Sequence, residues 1–389
     1  MRFALAVGVA ASVAISVIGG LHPASAASTS TDWTQEGFNA QHTGDNPAET
    51  VLTRANVGHL VSAFSTRVNP NNPQISGVYP DPIVAGGVVY LSNSGNGIVE
   101  AIDGATGAVK WRVTPHCYGG TTEPAFAGGQ IWLMQDDPGI SAISTGGVQI
   151  SCIPLFNAVG YNTSPPSAGN GTVYGEGDDG GVGAVNATTG AIRWSNPNVG
   201  DGNTPTLSAD GGAVFVGGYG NNTQQLLYKL NAATGAVIWS RVLGACGESS
   251  TAVSGSMVFL SSCNNLYALS AATGSTVWQA IGAGGAEAVA GGLVFTGAAA
   301  FNATNGSLVW SNPTYSGGST AVANGVVYVD AGTQIFMLNS STGAHLGSIS
   351  LPPSSDASFD GAVIPVDGRV YVCSENDTTD AISLHAYVP

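Results

Sequence analysis

Residues able to do chemistry are sparse in this 389-residue chain, which holds 24 Asp and Glu against 9 Lys and Arg, with six His and five Cys. Three carboxylates stand out by position. Asp81, Glu123 and Asp360 each precede a short apolar stretch, and they align with one another when the chain is cut into the repeating units described below. Ser164, Thr204, Ser250, Ala286 and Ser319 fall at the same place in the other units. Three carboxylates gathered on one side of a narrow channel repel one another unless a cation or shared protons intervene. Their oxygens suit a hard cation such as Ca2+, so Asp81, Glu123 and Asp360 form a candidate metal site. Glu248, Glu287, Asp201 and Asp356 fall nearby in the same alignment, and His116 and Tyr118 sit in the loop before the second unit. Acidic residues in exposed loops are mostly solvated, and those next to proline are often turn residues, so that reading stands beside the first. Glu287 is the least ordinary of them, because it interrupts the apolar run Ala286-Glu287-Ala288-Val289. No Gly-x-Ser-x-Gly elbow, His-Glu-x-x-His pair or Walker-type loop occurs.

What positions these residues is a tandem repeat. A small apolar pair, an Asx residue, two small residues, Thr-Gly and then Trp recur, as in Ala101-Ile102-Asp103-Gly104-Ala105-Thr106-Gly107 with Trp111 and Ala184-Val185-Asn186-Ala187-Thr188-Thr189-Gly190 with Trp194. Further copies centre on Gly235 with Trp239, Gly274 with Trp278 and Gly306 with Trp310. Weaker copies sit at Gly146, with Ile150 in the Trp place, and at Gly343. The Asx side chain accepts hydrogen bonds from backbone two residues on, and the glycine supplies the positive φ of a tight hairpin. Upstream of each turn lie two apolar runs, and before them a segment such as Pro82-Ile83-Val84-Ala85-Gly86. Four short strands per unit of about 40 residues are the signature of a propeller blade.

Eight innermost strands are predicted near Pro82, Pro124, Pro165, Pro205, Thr251, Glu287, Thr320 and Gly361. The sequence therefore predicts an all-β, eight-bladed β-propeller of four-stranded antiparallel blades. The last unit runs out of chain after three strands. Residues 60–68, with Phe64 in the Trp place, are expected to supply its fourth strand and close the ring. On this reading residues 1–26 are a signal peptide, 27–58 wrap the outside, and 59–389 form the propeller. The start fits that assignment: Arg2, an apolar run from Phe3 to Ile18, and a small-residue cleavage site at Ala24-Ser25-Ala26. About 16 apolar residues fall short of the roughly 20 that span a bilayer. The mature chain is expected to be secreted, monomeric and not membrane-spanning, with 8 basic and 24 acidic residues once Arg2 is gone. A chain so acidic repels nucleic acid and anionic membrane.

The repeats, with the opening residues Trp33, Gly37-Phe38, Gly44, Asn46-Pro47, Leu52, Asn56-Val57, Leu60 and Ala63-Phe64, resemble the pyrroloquinoline-quinone-type (quinoprotein-like) propeller family. The resemblance implies one of two roles. The first is an exported, non-catalytic binding or scaffold module for a protein, peptide or carbohydrate at the cell surface. The second is a dehydrogenase of alcohols or sugars that holds pyrroloquinoline quinone and Ca2+ in the central channel. The quinone carries three carboxylates. Lys110, Arg112, Arg193, Lys229 and Arg241 fall on third or fourth strands, Arg54 and Arg67 in the N-terminal segment, and Arg369 at a second strand, so none falls on an innermost strand. That distribution favours the first role.

Export puts the cysteines in an oxidising compartment. The blade assignment pairs Cys246 with Cys263 and Cys117 with Cys152, and leaves Cys373 as a buried small hydrophobe. No two cysteines are adjacent, so the vicinal disulfide of many quinoprotein alcohol dehydrogenases cannot form.

Overall fold

The computed structural model describes residues 31–68, 81–93, 97–116, 121–135, 139–156, 164–177, 181–200, 203–220, 224–244, 246, 251–285, 287–315, 317–351, 357–376 and 381–389. They form eight sheets arranged as the blades of a β-propeller, each with four antiparallel strands; in the seventh the short strand Asp45–Asn46 adds in parallel to Thr320–Ala323. Blade 1 shows the plan: an inner strand Ile83–Ala85, then Val88–Asn93, Ile98–Asp103 and the outer strand Val109–Val113. Its second strand is buried on both faces because each blade is sandwiched between two others; Val89 and Leu91 are fully enclosed. The outer strands Val109–Val113 and Gln149–Pro154 expose every other side chain.

The recurring Trp joins each blade to the next. Trp111, Trp194, Trp278 and Trp310 donate their indole N–H to a turn carbonyl of the following blade, at 2.8–2.9 Å. Each ring lies against the turn glycine of that blade. Gly306 (φ 71°) is an example: a Cβ there would sit 2.5 Å from the Trp278 ring. In blade 4 the pattern breaks, because Lys229 donates to the carbonyl of Ala271, and the Trp239 indole nitrogen is left without a partner among the described residues. In blade 2 the positive-φ glycine is Gly147, one residue later than Gly146, and strand register puts Ser151 in the Trp place. Ile150, expected there, is exposed instead. Blade 7 has Gly347 at the Trp position, and the short 3-10 turn Val57–His59 packs against it through Gly58.

The N-terminal strand Val61–Arg67 pairs antiparallel with Ala381–Val388 and completes blade 8. Phe64 lies against Gly107 of blade 1 and 6.4 Å from the Tyr371 ring. Tyr371, on the second strand, donates to the carbonyl of Gly104 at 2.8 Å, so between blades 8 and 1 a phenol takes the place of the Trp indole as donor to the next turn.

The path before that strand differs from the sequence expectation. Residues Asp32–Gly58 do not simply wrap the outside: their first half crosses the centre of the ring. Main-chain N–H groups of the inner strands donate to it in blade order: Val84 to Trp33, Phe126 to Thr34, Leu207 to Ala40, Val253 to Gln41, Val289 to Thr43 and Val322 to Gly44, all at 2.7–2.8 Å. In blade 3 the acceptor is the Gln35 side chain, 2.6 Å from the Ala168 nitrogen. In blade 8 the equivalent residue is Pro365, which has no N–H, and polarity reverses: Asn46 Nδ2 donates to the Pro365 carbonyl at 3.0 Å. Each inner strand is a sheet edge facing the axis, and this segment satisfies one main-chain donor in each of seven blades and one carbonyl in the eighth. Trp33, Phe38, Leu52 and Val57 anchor it in the core shared with blades 7, 8 and 1. No helix among the described residues is long and apolar enough to cross a membrane.

Candidate functional site

The crossing segment and the starts of the inner strands enclose a cavity of about 150 Å3 on the ring axis. The segment contributes Trp33, Glu36, Gly37, His42 and Gly44; the blades contribute Asp81, Thr251, Glu287, Ser319, Thr320, Ala321, Ala362 and Val363. Among the described residues three carboxylates line it and no lysine or arginine does.

Each carboxylate is positioned by its surroundings. Asp81 accepts the main-chain N–H of Ala362 across the closure between blades 8 and 1. Glu36 accepts the Thr204 hydroxyl. Glu287 is buried and accepts the Ser261 hydroxyl, whose oxygen accepts the Gly285 N–H at 3.2 Å. His42 is buried beside them, between the Ser167 and Thr206 hydroxyls at 3.3 and 3.2 Å. Burial holds its imidazole below the usual value of 6.5, against the opposing pull of Glu36. Glu123 is not among the lining residues, but it is close enough to feel them: burial first, then the charges of Asp81 and Glu36, push its carboxyl up to about 8. Both effects favour the protonated form of Glu123.

Of the predicted trio, Asp81 and Glu123 lie together and Asp360 falls out of register. Blade 1 pairs Ile83 with Tyr90, and blade 8 pairs Ile364 with Tyr371, so the equivalent of Asp81 is Ala362. The shift comes from an irregularity between Asp360 and Ile364, which carries Asp360 to a main-chain pairing with Cys373. Among the described residues no group of three His, Cys, Asp or Glu is arranged to hold a metal ion. Asp201, Glu248, Asp356, Tyr118 and Cys117 lie outside the described residues. His116 is exposed, with its main-chain nitrogen bonded to Gln149. Cys246 and Cys263 form a disulfide, Cys152 is disulfide-bonded, and Cys373 is a buried thiol.

Cations are spent elsewhere. Lys110 and Arg112 pair with Asp103 and Glu100 at 3.1 and 2.8 Å. Lys229, Arg241 and Arg369 hold turn carbonyls between blades. The implied quinone is a tricarboxylate, and a cavity walled by carboxylates without a fixed cation does not fit it. The residues that sequence reasoning missed, Trp33, Glu36 and His42, all come from the crossing segment, which lies outside the repeat and so has no alignment to reveal it.

No curated protein matches the chain. Solved structures match its fold. The quinohemoprotein alcohol dehydrogenase ADHIIG from Pseudomonas putida HK5 superposes with a TM-score of 0.73 at 15% identity, over 92% of this chain and 80% of that one. A europium-containing methanol dehydrogenase gives 0.71 at 13%, over 92% and 98%. BamB from Moraxella catarrhalis gives 0.62 at 15%, over 84% and 97%. At such identities the likeness shows the fold alone, and it runs to dehydrogenases and to BamB alike. The sequence family described as outer membrane protein assembly factor BamB matches residues 22–113, 178–299 and 296–386, most of the chain. The chain belongs to that family of pyrroloquinoline-quinone-like repeat propellers.

Proposed function

We propose that this protein is an exported, non-catalytic propeller that binds a protein, peptide or carbohydrate partner at the cell surface. The observation that carries the reading is the axial cavity, lined among the described residues by Glu36, Asp81 and Glu287 with no lysine or arginine. An anionic quinone bound there would sit among like charges in a partly desolvated space, a cost that no residue of the lining offsets. Export is supported by the Cys246–Cys263 disulfide and by the leader-like residues Arg2 to Ala26, which lie outside the described residues. Catalysis is tested by adding pyrroloquinoline quinone and Ca2+ to the purified protein, with alcohols or sugars and an electron-accepting dye. The expected result is an unchanged quinone absorbance and no dye reduction. A bound-quinone spectrum with dye reduction overturns the reading.

A further inference from the structure

We propose that the crossing segment is a releasable plug of the propeller axis: Trp33 to Asn46 lift off the inner strands as one cooperative unit while the eight blades stay folded. The inference concerns a motion of this segment and does not depend on what the axial cavity binds. The first observation is how the segment is held. It takes one main-chain donor from each of seven blades, at Val84, Phe126, Ala168, Leu207, Val253, Val289 and Val322. Its only run of strand pairing among the described residues is the two-residue Asp45–Asn46. Each inner strand keeps its antiparallel partner on the other side, as Ala252–Ser254 does in blade 5, so the blades stay paired without the segment. No single bond fixes it, and bonds shared by one short stretch form and break together.

The second observation is backbone strain. The stretch from Gly37 to Gly44 closes on itself through the Gly44 N–H and the Gly37 carbonyl at 2.9 Å. Within it Phe38 (φ 76°) and His42 (φ 49°) adopt the left-handed conformation that residues other than glycine avoid. Such a backbone persists only while its surroundings impose it, and lifting relieves it. The third observation is where the apolar anchors lie. Trp33 and Phe38, with ring centroids 5.3 Å apart, reach the core shared by blades 7, 8 and 1. Over blades 3 and 4 the grip is mostly polar: Gln35 on Ala168, Glu36 on Thr204, Gln41 on the Ser208 carbonyl at 3.3 Å, and His42 between Ser167 and Thr206. Water replaces partners of that kind at little net cost. Downstream, Glu49 accepts the Gly368 N–H at 2.8 Å and Leu52 is fully buried, so the chain is fixed from there on and the hinge falls at Pro47 and Ala48. Trp33, Glu36, Gly37, His42 and Gly44 are also walls of the axial cavity, so lifting the segment opens that cavity to solvent.

The test is native-state hydrogen exchange of the full chain, read by NMR over a denaturant series below the unfolding transition. The seven donor amides are expected to share one protection factor and one denaturant slope, with protection at least about tenfold lower than that of the second-strand amides of the same blades. Asn39→Ala then separates a cooperative unit from seven independent contacts. Among the described residues the Asn39 side chain bonds only to Gln41 and Thr43, inside the segment, and to none of the seven donors. The variant is expected to lower the protection of all seven together, by about tenfold, and to leave the second-strand amides unchanged. Seven donors with unrelated protection overturn the proposal, as does exchange that occurs only with global unfolding, or an Asn39→Ala effect confined to one or two blades. Should Asn39→Ala fail to fold, the wild-type measurement decides alone. Neither result bears on the non-catalytic reading, which depends on the separate quinone and dye measurement.

Discussion

Replacing Glu123 with Gln is expected to make the protein more stable at alkaline pH and to leave it nearly unchanged in acid. The Glu123 carboxyl is raised from 4.5 to about 8, by burial first and then by Asp81 and Glu36. A carboxyl raised in the folded state keeps its proton there while the unfolded chain releases it. Its contribution to stability is therefore intact below pH 4.5, declines by about 1.4 kcal/mol per pH unit up to pH 8, and then levels. Over that window the loss has a ceiling of about 5 kcal/mol, and residual water at this incompletely buried group lowers it to roughly 3. Gln fills the same space and cannot ionise. Denaturant unfolding of wild type and Glu123→Gln at half-unit steps from pH 4.5 to 8.5 measures the difference directly. The two stabilities are expected to converge near pH 4.5 and to separate by about 3 kcal/mol at pH 8, or roughly 4 °C in melting temperature for a chain this size. Stability curves that stay parallel across the range refute the placement of Glu123 against Asp81 and Glu36.

Three other perturbations test the ring. Phe64→Ala removes the side chain that docks on Gly107, and is expected to cost about 2–3 kcal/mol in denaturant unfolding, with exchange of the Val61–Arg67 amides rising first. Gly306→Ala puts a methyl group into the Trp278 ring at a φ of 71°, and is expected to cost about 2–4 kcal/mol, seen also as altered Trp fluorescence. His385 is lowered to about 4 by burial, so its NMR titration is expected to have its midpoint there; the stability it supports is present above pH 6.5 and lost as pH falls toward 4.

The blades were legible because each solves the same packing problem with the same residues: an Asx turn, a glycine of positive φ and a Trp that crosses to the next turn. Phe64 could be read as a Trp substitute because it sits at the matching step of an otherwise complete unit. The crossing segment was not legible, for a physical reason. Its contacts with six blades are made by main-chain carbonyls, which every residue type carries, so nothing in Trp33–Gly44 announces them. Register errors had local causes as well. Two consecutive glycines, Gly146 and Gly147, hid which one turns the chain, and the irregular stretch from Asp360 to Ile364 shifted the acidic position by two residues. Glu287 was visible in sequence because a carboxylate inside an apolar strand needs a partner, and Ser261 is that partner.

The same contrast bears on where function resides. Neighbouring blades are held by repeated side chains, so each blade depends on the two beside it, as in other repeat architectures. The crossing segment adds a coupling of another kind: one stretch of about 14 residues touches all eight blades, and disturbing it removes a partner from every inner edge. It also supplies Trp33, Glu36 and His42, which make the cavity aromatic and, with Asp81 and Glu287, acidic. Substitutions in the repeats act on the ring as a whole, whereas substitutions at Glu36 or Thr251 alter the cavity while the turn-and-Trp contacts remain. A propeller built this way can keep its scaffold while its axial site changes, so the shared fold does not by itself assign a function.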